Sequence, residues 1–287
     1  CSIKNKMKIY CVTHKPQPNI DELGLVPVGL GLGSFPNHYI KENTLKNIAY
    51  KNSHYSEVSF HYWIWKNILP TKKNEDWFGI CQYRRYFVNK ELRSKISQDK
   101  GNQGSLKITS LDDLKNILQK EPHSDWNSYD VVLCDPWSVK VEKKMKLIKR
   151  GFKSLIKNPQ ILINKDKHNI MLHFDMYHGH GNLEKAINVL PQKDKSDFLE
   201  YVNTHTELSG HSLFFCKNNK ILNNYYNDLF EWLFKCEEIF GFKNLVGYDT
   251  QRMYSFLSER YTDFWFKKYS KFITWPWVFY DISKPDN

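Results

Sequence analysis

The sequence predicts an α/β protein with a mixed, mostly parallel central sheet flanked by helices. Three observations carry this. Short, strand-length runs rich in apolar residues recur at 7–12, 77–81, 129–134 and 212–216. They are largely continuous rather than alternating, as strands buried on both faces require. Longer segments with apolar residues at helical spacing occupy 52–67, 222–238 and 249–265. Polar and cationic clusters follow the strands, and open α/β sheets bind ligands beyond the carboxyl ends of their strands.

Along the chain, Met7-Lys8-Ile9-Tyr10-Cys11-Val12 reads as the first strand, and Pro16 stops it. Thr13, His14 and Lys15 form a polar cluster at its end, suited to a phosphate or a base. Residues 19–45 are rich in Gly, Pro and Asn and read as an irregular loop over the site; the alternating Gly29, Gly31 and Gly33 have no helix after them and are weak evidence for phosphate binding. Asn52 or Ser53 caps a predicted helix running to Asn67, with Val58, Tyr62 and Trp65 on its apolar face. Glu57 falls in the first turn, where a carboxylate is favoured electrostatically; the sharper reading points it into the site toward ribose or sugar hydroxyls.

Trp77, Phe78, Ile80 and Cys81 form a central strand, and Gln82, Tyr83, Arg84 and Arg85 fall at its end. Two adjacent arginines suit a planar, bidentate hold on phosphate oxygens. Residues 110–113 read as a helix start. The strand at 129–134 is bracketed by Asp130 and Asp135, which its length keeps apart, so they cannot chelate one ion; Asp135 reads as a turn residue. Residues 138–168 read as a basic loop or a membrane-facing surface. The imidazole-dense stretch from His173 through His178 and His180 to Asn182 reads as a polar, substrate-facing loop. Its His-x-His has no third zinc ligand at standard spacing, and Asp175 is placed to orient either ring. Ser212–Cys216 is a strand preceded by His211. The next helix carries Tyr225, Leu229, Trp232, Leu233 and Cys236 on one side. Asp249 reads as the cap of the last helix, Glu259 and Arg260 as an ion pair, and 275–280 as an aromatic closing segment.

The 287 residues read as one domain over 1–287, without a repeat or an inter-domain linker, residues 1–6 being a linker from a longer polypeptide. With 41% hydrophobic residues the chain can bury a core, and its nine Trp suit either core filling or a sugar or nucleotide site. A net charge of +11 favours anionic partners: nucleic acid, acidic headgroups or a diphosphate. The lysines cluster only at 140–149 and 153–167, and zinc-finger spacing, an RNP-like motif and a Gly-rich basic tail are all missing, which argues against nucleic acid. The six cysteines form no CxxC pair, as expected in a reducing compartment. No apolar run approaches the ~18 residues of a membrane span, and no signal peptide is visible.

Several segments together resemble one family. They are Ile9-Tyr10-Cys11-Val12-Thr13-His14-Lys15, Tyr55-Ser56-Glu57 with Tyr62-Trp63-Ile64-Trp65-Lys66-Asn67, Gly79-Ile80-Cys81-Gln82-Tyr83-Arg84-Arg85-Tyr86-Phe87, and Phe256-Leu257-Ser258-Glu259-Arg260. In order and spacing they are similar to the bacterial capsular and exopolysaccharide glycosyltransferases of GT-A type that include galactofuranosyltransferases. Gln82 stands where that family more often has His, residues 177–183 keep only part of a His-rich segment, and 138–168 is longer and more basic.

The resemblance implies a GT-A-like nucleotide-binding fold. It also implies transfer of a sugar, galactofuranose or a relative, from a UDP-sugar donor to a growing capsular or surface polysaccharide. The charge and the absence of export signals point to a cytoplasmic location with peripheral contact to an anionic inner membrane. Glycosyl transfer develops oxocarbenium character on the sugar and negative charge on the departing diphosphate. Many GT-A enzymes neutralise the latter with an Asp-x-Asp-bound divalent ion. Here that position reads Gln82-Tyr83-Arg84, with no carboxylate. Arg84 and Arg85, with Lys15, are therefore expected to replace the ion, and neither metal nor cofactor is expected. Donor contacts fall to Thr13, His14, Lys15, Glu57, Gln82, Tyr83, Arg84 and Arg85, and acceptor contacts to His178, His180 and His211. An inverting transfer needs a base; Asp249 is the first candidate, with His180 and His178 behind it because imidazole titrates near working pH. The competing readings are a non-catalytic glycan- or nucleotide-binding domain and a basic nucleic-acid-binding protein.

Overall fold

The computed structural model describes residues 7–72, 76–98, 106–141 and 144–283. Its strands are β1 (Met7–Thr13), β2 (Val26–Gly29), β3 (Ile40–Lys41), β4 (Trp77–Gln82), β5 (Arg85–Phe87), β6 (Leu106–Ile108), β7 (Val131–Cys134), β8 (Trp137–Ser138), β9 (Glu207–Leu208), β10 (Phe214–Cys216), β11 (Phe272–Trp275) and β12 (Trp277–Tyr280). The main sheet runs β11-β7-β10-β4-β1-β2-β3. All its strands are parallel except β10, which is antiparallel to β4 and β7. The mixed, mostly parallel sheet read from the sequence is therefore present. A branch adds β12, antiparallel to β5 and parallel to β6.

The helices are α1 (Pro18–Glu22), α2 (Asn52–Tyr55), α3 (Val58–Asn67), α4 (Arg93–Gln98), α5 (Leu111–Ile117), α6 (Lys144–Arg150), α7 (Phe152–Lys157), α8 (Ile170–His178), α9 (Asn182–Asn188), α10 (Gln192–Thr204), α11 (Asn219–Phe240) and α12 (Met253–Tyr269). Ser110 caps α5 by accepting from the Asp113 amide at 3.2 Å, as its sequence predicts. Tyr225, Leu229, Trp232, Leu233 and Cys236 of α11 are all buried. Cys11, Cys81, Cys134, Cys216 and Cys236 are buried free thiols that pack as small hydrophobes. Among the described residues no helix is long and apolar enough to cross a membrane.

Five expectations need correction. Residues 19–45 are not a plain loop: they hold α1, β2 and β3, a strand pair that Pro27 and the glycines disguise. The helix at 52–67 is broken at Ser56, whose φ of 50° and ψ of −134° interrupt it before Glu57, and neither Asn52 nor Ser53 caps it. Residues 138–168 are largely helical, because Leu147 and Ile161 bury against Leu172 and Met176. The stretch through His173 and His178 is helix α8, not a loop. The Asn169 side chain caps it by accepting from the Leu172 amide at 2.9 Å, and Gly179 ends it at φ 98°. Residues 275–280 belong to the sheet as parts of β11 and β12 rather than closing over it.

Candidate active site

The carboxyl ends of β1, β4, β7 and β11 and the amino end of β10 lie along one edge of the sheet. At the centre of that edge β4 turns into β5 over Tyr83 and Arg84, with Gln82 paired to Arg85. The Tyr83 amide donates to Val12 O at 3.1 Å, and the Tyr280 amide to Arg84 O at 2.8 Å, so both flanks of the turn are held. Gln82 Nε2 donates to His211 O at 2.8 Å, and Arg85 Nη1 donates to Gln82 Oε1 at 2.7 Å. The amide of Gln82 thus fixes the Arg85 guanidinium and ties β4 to the loop before β10. Arg84 lies over the Tyr83 ring at 5.2 Å.

Arg85 faces two carboxylates, Glu57 and Glu259, both within electrostatic reach. Glu57 is buried and accepts from Ser255 Oγ at 3.3 Å. Glu259 lies one turn along α12 from Ser255, and its Oε2 accepts from Arg260 Nη1 at 2.8 Å. The Glu259 side chain keeps 16% exposure, so it is not sealed from solvent. Burial holds its carboxyl above the usual range. Arg260, Arg85 and the His211 amide pull it down, and Glu57 pushes it further up.

Arg260 is buried and organises the imidazoles. Its Nη2 lies 3.2 Å from His173 Nδ1 and 3.4 Å from His178 Nε2. A guanidinium only donates, so both ring nitrogens accept. His178 therefore carries its proton on Nδ1 and donates it to Asp249 O at 3.0 Å. Burial, then Arg260, pushes the His178 pKa down to about 3. With its Nε2 lone pair already engaged by Arg260, His178 is a weaker candidate for the base than imidazole chemistry alone suggests. His211 is buried, stacked on Trp137 at 5.9 Å and edge-on to Trp277 at 4.9 Å. Burial, Arg85 and Arg260 all lower its pKa.

The sequence-derived candidates divide accordingly. Glu57, Gln82, Arg85, His178 and His211 converge. Thr13 is buried at the end of β1, its hydroxyl bonded to Lys15 O at 2.6 Å, while His14 and Lys15 are exposed beyond it, His14 within reach of Glu57 and Arg252. Tyr83 and Arg84 form the turn. Asp249 is not a cap, because α12 begins at Met253; its half-exposed carboxylate pairs with Arg150 at 3.2 Å. His180 turns to Asp175 at 2.9 Å and lines a separate cavity of about 580 Å³ with Ser154, Lys157 and Glu184. Asp135 is held by both oxygens to Arg93, at 2.8 and 2.9 Å.

Glu259 and Arg260 form the expected ion pair, and Arg260 also reaches the imidazoles of α8. Buried polar atoms without a hydrogen-bond partner gather at the same edge: Arg84 Nε, Arg85 Nε, His211 Nε2, Ser212 Oγ and Arg260 Nε. Such atoms are rare in folded proteins and concentrate where function demands them. Among the described residues, no three His, Cys, Asp or Glu side chains converge as metal ligands would.

In open α/β sheets the carboxyl edge, where these charged residues lie, is the usual place for a ligand. The sequence profile of a domain of unknown function, DUF4422, matches residues 8–270, and the chain belongs to that family. Its fold is similar to the apo structure of WbbM, a bifunctional glycosyltransferase. The TM-score is 0.70 with 19% identity, over 96% of this chain and 46% of that one. The chain therefore spans less than half of that protein's length. No curated protein matches it.

Proposed function

We propose that this chain is an inverting glycosyltransferase of GT-A type. It transfers a sugar from a UDP-sugar to a glycan acceptor of a capsular or surface polysaccharide, without a metal ion. The supporting observation is the Arg85 guanidinium, fixed by Gln82 at the carboxyl end of β4 and facing Glu57 and Glu259. The fold similarity to a glycosyltransferase supports the class, and the resemblance to galactofuranosyltransferases makes a UDP-galactofuranose-type donor the first to try.

In this reading Glu259 takes the proton of the acceptor hydroxyl as its oxygen attacks the anomeric carbon. The bond from that carbon to the diphosphate breaks, and the electron pair leaves on the diphosphate. Arg85 and Arg84, with Lys15 at the rim, stabilise that charge. Arg260 and Arg85 oppose the burial that would keep Glu259 protonated. Glu57 holds donor hydroxyls, and His178 and His211, both neutral, offer acceptor contacts.

The test is UDP release with a panel of UDP-sugars, with and without chelator. Turnover is expected to survive chelator. Glu259→Gln should lower kcat by about 10²–10⁴-fold, the usual worth of a general base, while Asp249→Asn should retain most activity. Arg85→Lys should lose about 10²–10³ in kcat, because a point charge cannot keep Gln82 and a phosphate in one plane. Turnover that vanishes with chelator and returns only with manganese would refute the arginine mechanism. A loss in Asp249→Asn with none in Glu259→Gln would move the base to Asp249.

A further inference from the structure

The segment from α6 to the start of α8 has a composition that sugar transfer does not explain. Residues 144–167 hold eight Lys and Arg and a single acid, Asp166. That is seven of the net eleven positive charges in under a tenth of the chain. Of the fourteen large apolar side chains exposed among the described residues, six lie here. Met145, Ile148, Phe152 and Ile156 follow one another at spacings of three and four, one apolar ridge along α6 and α7. Phe152 is 60% exposed, Ile156 66% and the nearby Ile163 87%. The opposite side, through Leu147 and Ile161, is buried against Leu172 and Met176. The exposed ridge is therefore a second apolar face, not a frayed core. Lys144, Lys149 and Lys153 flank it and make no ion pair among the described residues.

We propose that this ridge docks the protein on an anionic lipid bilayer, the apolar side chains entering the acyl boundary and the lysines meeting the headgroups. The charge selects this occupant. A second copy packed face to face would bring seven net positive charges against seven, and like charges in apposition are costly. A nucleic acid would answer the lysines but leave Phe152, Ile156 and Ile163 in water. An anionic bilayer answers both. The docked face also borders the candidate site: Arg150 at the end of α6 pairs with Asp249, whose carbonyl accepts from His178. The inference stands without the transferase reading, since it rests on this surface alone.

The test is co-sedimentation of the full chain with vesicles of phosphatidylcholine and of phosphatidylcholine mixed with phosphatidylglycerol, at low and high salt. Binding to the mixed vesicles alone, weakening with salt, is expected. Phe152→Glu with Ile156→Glu should abolish it, and Lys149→Gln with Lys153→Gln should weaken it about thirtyfold. Both variants should unfold at the wild-type temperature, because the altered side chains are exposed. Three results would overturn the proposal. One is no binding to mixed vesicles at low salt. Another is undiminished binding by the Phe152→Glu, Ile156→Glu variant. The third is a wild-type dimer in sedimentation velocity that this variant dissociates, or duplex RNA binding that it retains, in place of vesicle binding.

Discussion

Glu42 shows what single residues do around the site. It is 1% exposed and accepts from the Gly31 amide at 2.6 Å and from the Ser59 hydroxyl at 3.0 Å, pinning the loop after β2 to α3. Burial raises its pKa to about 7, against 4.5 for a free side chain, with the Gly31, Ser59 and Asn52 hydrogen bonds opposing the rise. Between those two values the folded state holds more protons than the unfolded chain. Stability therefore falls as pH rises from about 4.5 to about 7 and levels off above. The shift corresponds to ~3 kcal/mol. Glu42→Gln is expected to be more stable than wild type above that window, with the difference shrinking below it. Urea midpoints for both proteins across the window would check this; parallel pH profiles would contradict it. Ionised Glu42 is thus a costly support for the loop after β2, whereas Glu259 has two guanidinium groups, Arg260 and Arg85, to offset its burial.

At the scale of elements, β4 and β10 meet where Gly79 lies opposite Phe215. A Cβ on Gly79 would run into the Phe215 ring, so the glycine lets β10 lie antiparallel against β4 and bring His211 to Gln82. Gly79→Ala is expected to cost about 1–3 kcal/mol by overpacking and to lower activity more than its stability loss accounts for, measured as kcat on the fraction that remains folded. The elements that carry Arg85 were legible because their signals are local: a continuous apolar run, then an abrupt polar cluster. The elements around His178 were not. The buried residues of α8, Ile170, Leu172, Phe174 and Met176, fall two apart, a strand-like alternation that gives no helical stripe, and the period of α6 and α7 was masked by lysines on both sides of a narrow apolar stripe. The cap of α12 is Arg252, three residues beyond Asp249, because Gly247 and Thr250 shape a turn whose hydrogen bonds precede the helix. Glu259 lies in one of the segments that carry the family resemblance, but its proximity to Arg85 and Glu57 depends on long-range packing that the sequence does not display.

Across the whole molecule, one core runs from Ile9 to Tyr280 and holds the sheet, α3, α11 and α12 together. A second, small core of Val141, Leu147, Ile161, Leu172 and Met176 holds α6 and α7 against α8. Few apolar contacts mean cheap local opening. Hydrogen exchange should therefore show amides of α6 and α7 opening about tenfold or more faster than those of β4 and α11; equal protection would show the small core to be part of the large one. The overall class was readable because it depends on strand and helix signals summed along the chain. The partition into two cores was not, since it depends on which apolar faces meet.

The last strand, β12, lies beside β5 and its Tyr280 amide grips the carbonyl of Arg84. Anyone attaching an affinity tag or a fluorescent reporter just downstream is handling the back of the turn that presents Arg84 and Arg85. A rigid fusion there would tug on the arginine turn, whereas a flexible tether would leave it at rest.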